Sequence, residues 1–225
     1  MIQWVYERAS SVFEYTYVAT DDHRIAEAVN GFKGKCIITK PTHQSGTDRC
    51  AEALDIVEKM TGAKFDVVIN IQGDEPFIQP EQLQKVSGCF ANPEVQIATL
   101  VKPFSEKENL FNPNTPKVIL DSKGFAIYFS RSVIPFIRSK EQDQWSTSHT
   151  FYKHIGLYAY RSDVLRGITR LPPSNLELAE SLEQLRWIEN GYRIKVELTN
   201  LETLAVDTPE DLERVKEYAK TLLEG

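Results

Sequence analysis

The sequence predicts an α/β fold, with a doubly wound, mostly parallel sheet in its first half and antiparallel strands in its second. Three observations predict it. Short apolar runs suited to buried strands alternate with segments of helical period over residues 15–90, the rhythm of parallel strands joined by right-handed crossovers. Beyond residue 90 the long helical segments between strands disappear and hairpin signals replace them, which points to antiparallel additions and an arm or lid. The 225 residues, 41% hydrophobic and 26% charged, suffice for one large core, so residues 1–225 are expected as a single domain with halves at 1–95 and 96–225.

In chain order, Ile2, Val5, Tyr6 and Ala9 recur at helical spacing, so the chain opens in a helix. No strand precedes it in the sequence, and the alternation that follows asks for one, so the sequence is expected to start late. Strands are expected at 15–19, 36–39 and 65–72, and helices at 22–30, 48–60 and 80–90, with Asp22 as the N-cap of its helix. Strand-like segments follow at 96–101, 117–121 and 125–131, the last two joined by the turn Asp121-Ser122-Lys123-Gly124. Residues 137–150 are polar and expected as a mobile loop able to close over a substrate. A strand is expected at 154–161 and a helix at 176–190, ending at Asn190-Gly191. After a strand-like 203–206, Thr208 and Pro209 read as N-cap and first helical residue, with Asp211 completing a capping box before a helix at 212–223.

The net charge of −6 excludes a general nucleic-acid or anionic-membrane binder, which needs a dominant basic face. Anionic small molecules are not excluded, because only local charge matters to them. Cys36, Cys50 and Cys89 are odd in number, with no Cys-x-x-Cys pair and no His at zinc spacing, and read as core thiols in a reducing compartment. No apolar run has the length of a membrane span and the first residues lack a signal-peptide layout, so the cytoplasm is expected.

The stretch Val67-Val68-Ile69-Asn70-Ile71-Gln72-Gly73-Asp74-Glu75-Pro76 concentrates the chemistry. An apolar strand ends in a glycine, two carboxylates and a proline, and ligands of open α/β sheets bind outside the carboxyl ends of strands. Asp74 reads as a ligand for a divalent metal against a nucleotide phosphate; otherwise Asp74 and Glu75 only cap the turn before Pro76. Ser45-Gly46-Thr47-Asp48-Arg49 opens a helix, with Thr47 or Asp48 as cap. The exposed amides and Arg49 then form an anion or nucleotide-base pocket. Capping alone does not explain Arg49, because a cation in a first turn opposes the helix dipole. His43 has no partner at ligand spacing and reads as a loop residue.

On the strand 154–161, period two places His154, Gly156, Tyr158 and Tyr160 on one face, where they are either ligand contacts or satisfied core groups. Arg131 and Arg138 flank Pro135 and are either forks for a carboxylate or phosphate or plain surface charges. Glu180, Glu183 and Gln184 share a helix face, suited to solvent or to a hydroxyl-rich ligand. Asp207 precedes a helix already capped by Thr208, so its carboxylate has no capping role.

Six segments together resemble one family: Ser45-Gly46-Thr47-Asp48-Arg49, Asn70-Ile71-Gln72-Gly73-Asp74-Glu75-Pro76, Tyr128-Phe129-Ser130-Arg131, His154-Ile155-Gly156-Leu157-Tyr158, Leu182-Glu183-Gln184-Leu185-Arg186 and Val206-Asp207-Thr208-Pro209-Glu210-Asp211. The family is the 3-deoxy-manno-octulosonate (KDO) cytidylyltransferases, and the likeness runs in order along nearly the whole chain. Gly-Asp-Glu-Pro alone recurs in related nucleotidyltransferases; the six together are specific. The resemblance implies a nucleotide-diphospho-sugar transferase-like fold with a nucleotide-binding first half and an antiparallel sugar-binding and dimerisation lobe. It implies Mg²⁺-dependent transfer of CMP from CTP to the anomeric hydroxyl of KDO, releasing pyrophosphate, in lipopolysaccharide biosynthesis. By the same resemblance Asp74 and Asp207 are the catalytic, metal-binding carboxylates, and Ser45, Gly46, Arg49, Gln72 and Asp74 bind the nucleotide. Arg131, Arg138, His154, Tyr158, Glu183 and Gln184 face the sugar acid, and Phe129, Ile134, Phe136 and Ile137 offer a homodimer interface or are plain core.

The sequence departs from the family at its start. The family's first apolar strand, its Pro-Ala-Arg-type turn and its Ser, Arg and Pro-Gly-Lys phosphate loop have no counterpart here, and residues 1–3 correspond to the helix after that loop. Two other readings stand beside the first: a CMP-sialic acid synthetase-like nucleotidyltransferase of the same fold and, because that loop is absent, a non-catalytic nucleotide-binding remnant.

Overall fold

The computed structural model describes residues 1–201 together with Val206 and Glu213. They form two compact units, one of residues 1–61, 71–84 and the described residues from 201 on, the other of 62–70 and 85–200.

The first unit begins with α1 (Ile2–Ser10), β1 (Val18–Thr20), α2 (His23–Gly31), β2 (Cys36–Ile38) and α3 (Gly46–Thr61), and takes in the start of α4 (Pro80–Gly88). β1 and β2 pair in parallel, with Val18 opposite Cys36, and α2 makes the crossover that parallel pairing requires. Asp22 caps α2 as expected, its carboxylate accepting the Arg24 N–H at 2.8 Å. α1 buries Val5 and Ala9 and grips the segment after residue 71. Its Trp4 ring lies 5.9 Å from Phe77, and its Arg8 guanidinium stands over the Phe77 ring and donates to the Ile78 carbonyl at 3.2 Å. Phe77 and Ile78 are buried, so the turn carrying Asp74 is anchored on its far side.

The second unit contains β3 (Val67–Asn70), β4 (Ile97–Pro103), β5 (Lys117–Leu120), β6 (Ala126–Ser130), α5 (Trp145–Ser148), β7 (Tyr152–Arg161), α6 (Ser162–Ile168), α7 (Asn175–Glu180), α8 (Glu183–Glu189) and β8 (Ile194–Leu198). Its sheet runs β6-β5-β7-β4-β8, with β3 also on β7. The α/β class is as expected and the sheet is mixed. β4 and β8 are parallel, whereas β3, β4 and β5 all run antiparallel to β7. β7 is ten residues long, enough to hold β3 against its carboxyl-terminal half and β5 against its start. Alternation of local patterns cannot encode that distant choice of partner. The β5–β6 hairpin forms as expected, with Gly124 in the left-handed region at φ +74° and the Asp121 carboxylate accepting from the Lys123 and Phe125 amides.

Several expectations need correction. The helix expected over 176–190 is two helices, broken where Ser181 adopts φ 51°, ψ 49°; α7 is closed there and α8 restarts after Leu182, which is buried. The segment 137–150 is no free loop, because Trp145 is buried with Leu110 and Phe151 against Phe104, Val133 and Ile137, and its indole N–H donates to the Lys140 carbonyl at 3.0 Å. Of the four residues offered as interface material, Phe129 is core and Ile137 packs on the Trp145 cluster, while Phe136 is 71% exposed. The expectations for residues 203–212 and the final helix lie outside the described residues, apart from Val206, and so does Asp207. Among the described residues no helix is long and apolar enough to cross a membrane.

Candidate active site

The first unit gathers the residues expected to meet a nucleotide. Asp21 follows β1 and Thr39 follows β2, so both stand at carboxyl ends of parallel strands. Arg49, from the first turn of α3, donates to the Thr39 hydroxyl at 2.6 Å and pairs with the Asp21 carboxylate at 2.9 Å. This carboxylate offsets the dipole penalty that made Arg49 conspicuous. Ser45, rather than Thr47 or Asp48, caps α3: its hydroxyl accepts the Asp48 N–H at 3.2 Å. Thr47 is buried instead. Glu52 ties the preceding loop to α3, accepting from the Lys40 amide at 2.8 Å and meeting the His43 ring at 2.5 Å. The His43 contact and the Lys40 amide hold the Glu52 carboxyl below its ordinary range.

Gln72 and Gly73 are exposed, Asp74 is half-buried and Glu75 is buried, in a turn closed by the Glu75 N–H on the Gln72 carbonyl at 3.3 Å. A Cβ at Gly73 would meet only the Ile2 side chain, at an ordinary 3.4 Å, so neither backbone nor packing asks for glycine there. The Asp74 carbonyl accepts from the Val206 N–H at 3.0 Å. Among the described residues no group of three His, Cys, Asp or Glu side chains is assembled for a metal. A sparse carboxylate set still suits Mg²⁺, which keeps water and takes one or two protein carboxylates with phosphate oxygens.

The second unit gathers the residues expected to meet a sugar acid. His154, Tyr158 and Tyr160 share a face of β7, with ring centroids 5.1 Å apart for His154–Tyr158 and 6.0 Å for Tyr158–Tyr160. Trp187 of α8 meets both tyrosines edge-on. Tyr158 pairs with Asn70, the last residue of β3, so this face lies at that strand's carboxyl end. The Tyr158 hydroxyl and the Trp187 indole N–H are both buried without a hydrogen-bond partner among the described residues. Burial pushes the His154 imidazole down to about 3, so the ring is neutral, and burial with Tyr160 and Glu183 raises the Tyr158 phenol well above its ordinary range. Glu183 stands in the first turn of α8 and Gln184 is buried beside it.

The two arginines have different settings. Arg131 donates to the backbone carbonyls of Glu180 at 2.6 Å, Pro113 at 3.0 Å and Ser181 at 3.2 Å. Its amide and the Ser130 hydroxyl donate to the Glu180 carboxylate, each at 2.7 Å. Arg131 thus holds the α7–α8 turn, and Glu180 serves β6. Arg138 is exposed. Sequence reasoning missed Asp21, Thr39, Glu52 and Trp187. Thr20-Asp21-Asp22 held a signal for the first, since one aspartate suffices to cap α2; for the others the sequence offers none.

Residues 1–196 match the Cytidylyltransferase family. A 3-deoxy-manno-octulosonate cytidylyltransferase of Parabacteroides distasonis is 58% identical over 218 residues, covering 95% of this chain and 85% of the relative. That of Bacteroides thetaiotaomicron is 56% identical over 223 residues, covering 98% and 88%. A solved CMP:2-keto-3-deoxy-manno-octonic acid synthetase in complex with CTP is similar at a TM-score of 0.85 and 41% identity, covering 98% of this chain and 87% of its own. A 4-diphosphocytidyl-2C-methyl-D-erythritol synthase from Anaerococcus prevotii, 12% identical with a TM-score of 0.56 over 97% of this chain and 88% of its own, shares the fold alone.

Proposed function

The chain belongs to the cytidylyltransferase family, and from that premise we propose that it transfers CMP from CTP to 3-deoxy-D-manno-octulosonate, giving CMP-KDO and pyrophosphate. The observation that carries the sugar assignment is the buried Tyr158 hydroxyl without a partner, beside a neutral His154 on the same strand face. A buried polar group without a partner is costly, and a ligand rich in hydroxyls supplies what Tyr158 lacks. The relatives at 56% to 58% identity carry the KDO name, which favours this reading over a sialic acid synthetase or a non-catalytic remnant.

In this reading Ser45, Gly46, Arg49 and Gln72 recognise the cytidine end of CTP. Asp21 and Thr39 hold Arg49 so that part of its fork remains for the base. His154, Tyr158, Glu183 and Gln184 meet the sugar hydroxyls, and Arg138 with Arg131 its carboxylate. The anomeric oxygen of KDO attacks the α-phosphorus in line, the bond to the β-phosphate oxygen breaks, and pyrophosphate leaves with its charge while the anomeric proton is released. Asp74 and Asp207 are the carboxylates assigned to Mg²⁺; the Val206 N–H donates to the Asp74 carbonyl. Bound Mg²⁺ supplies charge neutralisation on the phosphates and a lower pKa for the attacking hydroxyl. The product belongs to lipopolysaccharide biosynthesis, the enzyme to the cytoplasm, and exposed Phe136 is the residue offered to a second copy in a homodimer.

Asp74→Asn tests the assignment. Pyrophosphate release at saturating CTP, KDO and Mg²⁺ is expected to fall by about a hundredfold or more, the scale of lost transition-state electrostatics, with the circular dichroism unchanged. Turnover within a few-fold of the parent removes Asp74 from this role.

A further inference from the structure

β4 and β7 slip in register beside the sugar-facing residues. Thr99 is paired with Tyr158 but the next residue, Leu100, with Ile155, so Gly156 and Leu157 of β7 have no opposite number. Two unopposed residues keep His154 and Tyr158 on one face, where a single one would turn His154 away. The carbonyls freed by the slip need donors. Thr99, fully buried, supplies its hydroxyl, which lies 2.7 Å from the Leu157 carbonyl oxygen and 3.3 Å from that of Ile155.

The same hydroxyl lies 3.0 Å from Nε2 of His154. A hydroxyl has one proton and two lone pairs. Because that proton goes to the carbonyls, the contact with the ring is made only if Nε2 carries a hydrogen and Thr99 accepts it. A neutral imidazole has a single N–H, so Nδ1 is left as a bare acceptor, with no hydrogen-bond partner among the described residues.

We propose that Thr99 is a positioning residue for the sugar site, fixing His154 as the Nε2–H tautomer so that Nδ1 accepts a hydrogen bond from a substrate hydroxyl. The proposal rests on the reading that His154 meets the sugar. Thr99 touches no substrate and acts through His154 and the bulge.

Two readouts test it. In protein labelled with ¹⁵N-histidine, the signals of His154 are identified by their loss in His154→Gln. The parent without substrate is expected to show Nδ1 as the unprotonated nitrogen. Thr99→Val, which keeps the shape but removes the hydroxyl, is expected to bring the two ring nitrogens toward a mixed tautomer, and Thr99→Ser to restore the parent pattern. In kinetics, Thr99→Val is expected to raise KM for KDO about two- to tenfold, the scale of one neutral hydrogen bond. KM for CTP stays within about twofold, and Thr99→Ser stays near the parent. A parent His154 protonated on Nδ1, or a Thr99→Val protein with parental nitrogen signals and parental KM for KDO, overturns the proposal. His154→Ala separates the two levels. If it leaves KM for KDO unchanged, the sugar reading fails and the proposal with it; if it raises KM while Thr99→Val does not, only the positioning role fails.

Discussion

Lys153 sits next to His154 on β7 with only 8% of its side chain exposed, and its ammonium meets the Glu108 carboxylate. Burial alone would raise the Glu108 carboxyl, but the hydrogen bonds from Lys153 and the Ser105 amide outweigh it and hold it at about 2, against an ordinary 4.5. A carboxyl depressed on folding stabilises fully above its unfolded value, and that stability is lost as the pH falls through its folded one. Glu108→Gln, which removes the charge of the carboxylate that this ammonium meets, is therefore expected to lower stability by about 3 kcal/mol at neutral pH. Urea unfolding of parent and variant between pH 7 and pH 2 checks this: the gap between them is expected to narrow below about pH 4.5 and nearly close toward pH 2, and a gap that stays constant contradicts it. Local chemistry such as the Asp22 cap was legible in the sequence because donor and acceptor lie two residues apart. The Glu108–Lys153 and Arg49–Asp21 pairs were not, because their partners meet only after the chain has folded.

The break between α7 and α8 belongs to the scale of elements. The apolar spacing of Leu182, Leu185 and Trp187 continues that of the segment before it, so periodicity reads one helix. A capping box at Ser174 and Glu177 starts α7, yet Ser181 turns left-handed after six helical residues and lets Leu182 be buried while Glu183 opens α8. A non-glycine residue in that region is strained by about 1 kcal/mol, and Arg131, bonded to the carbonyls of Glu180 and Ser181, holds the turn. Ser181→Gly is expected to stabilise the protein by about 0.5–1 kcal/mol, because glycine adopts φ near +50° without a Cβ clash. Thermal unfolding is the check, and a loss of stability would mean that the serine is needed for more than its backbone. β7 carries the same lesson for strands: its period-two face was readable, whereas the two-residue slip that Thr99 closes depends on which strand lies opposite.

For the whole molecule, class and chemistry were readable to different depths. Alternating strand and helix patterns gave the α/β class and the hairpin gave the antiparallel lobe, but the partners of β3 and β4 follow from β7, which enters the chain some fifty residues after β4. The candidate residues divide between the two compact units, those for CTP in the first and those for KDO in the second, so each half was visible as a short motif. Their common task was visible only from the order of six motifs together.

The most direct measurement is pyrophosphate release by the full chain with CTP and Mg²⁺, supplied in turn with KDO, with sialic acid and with neither sugar. Release with KDO alone is the expected result. Release with sialic acid as readily as with KDO, or no release by a folded protein with either sugar, contradicts the assignment.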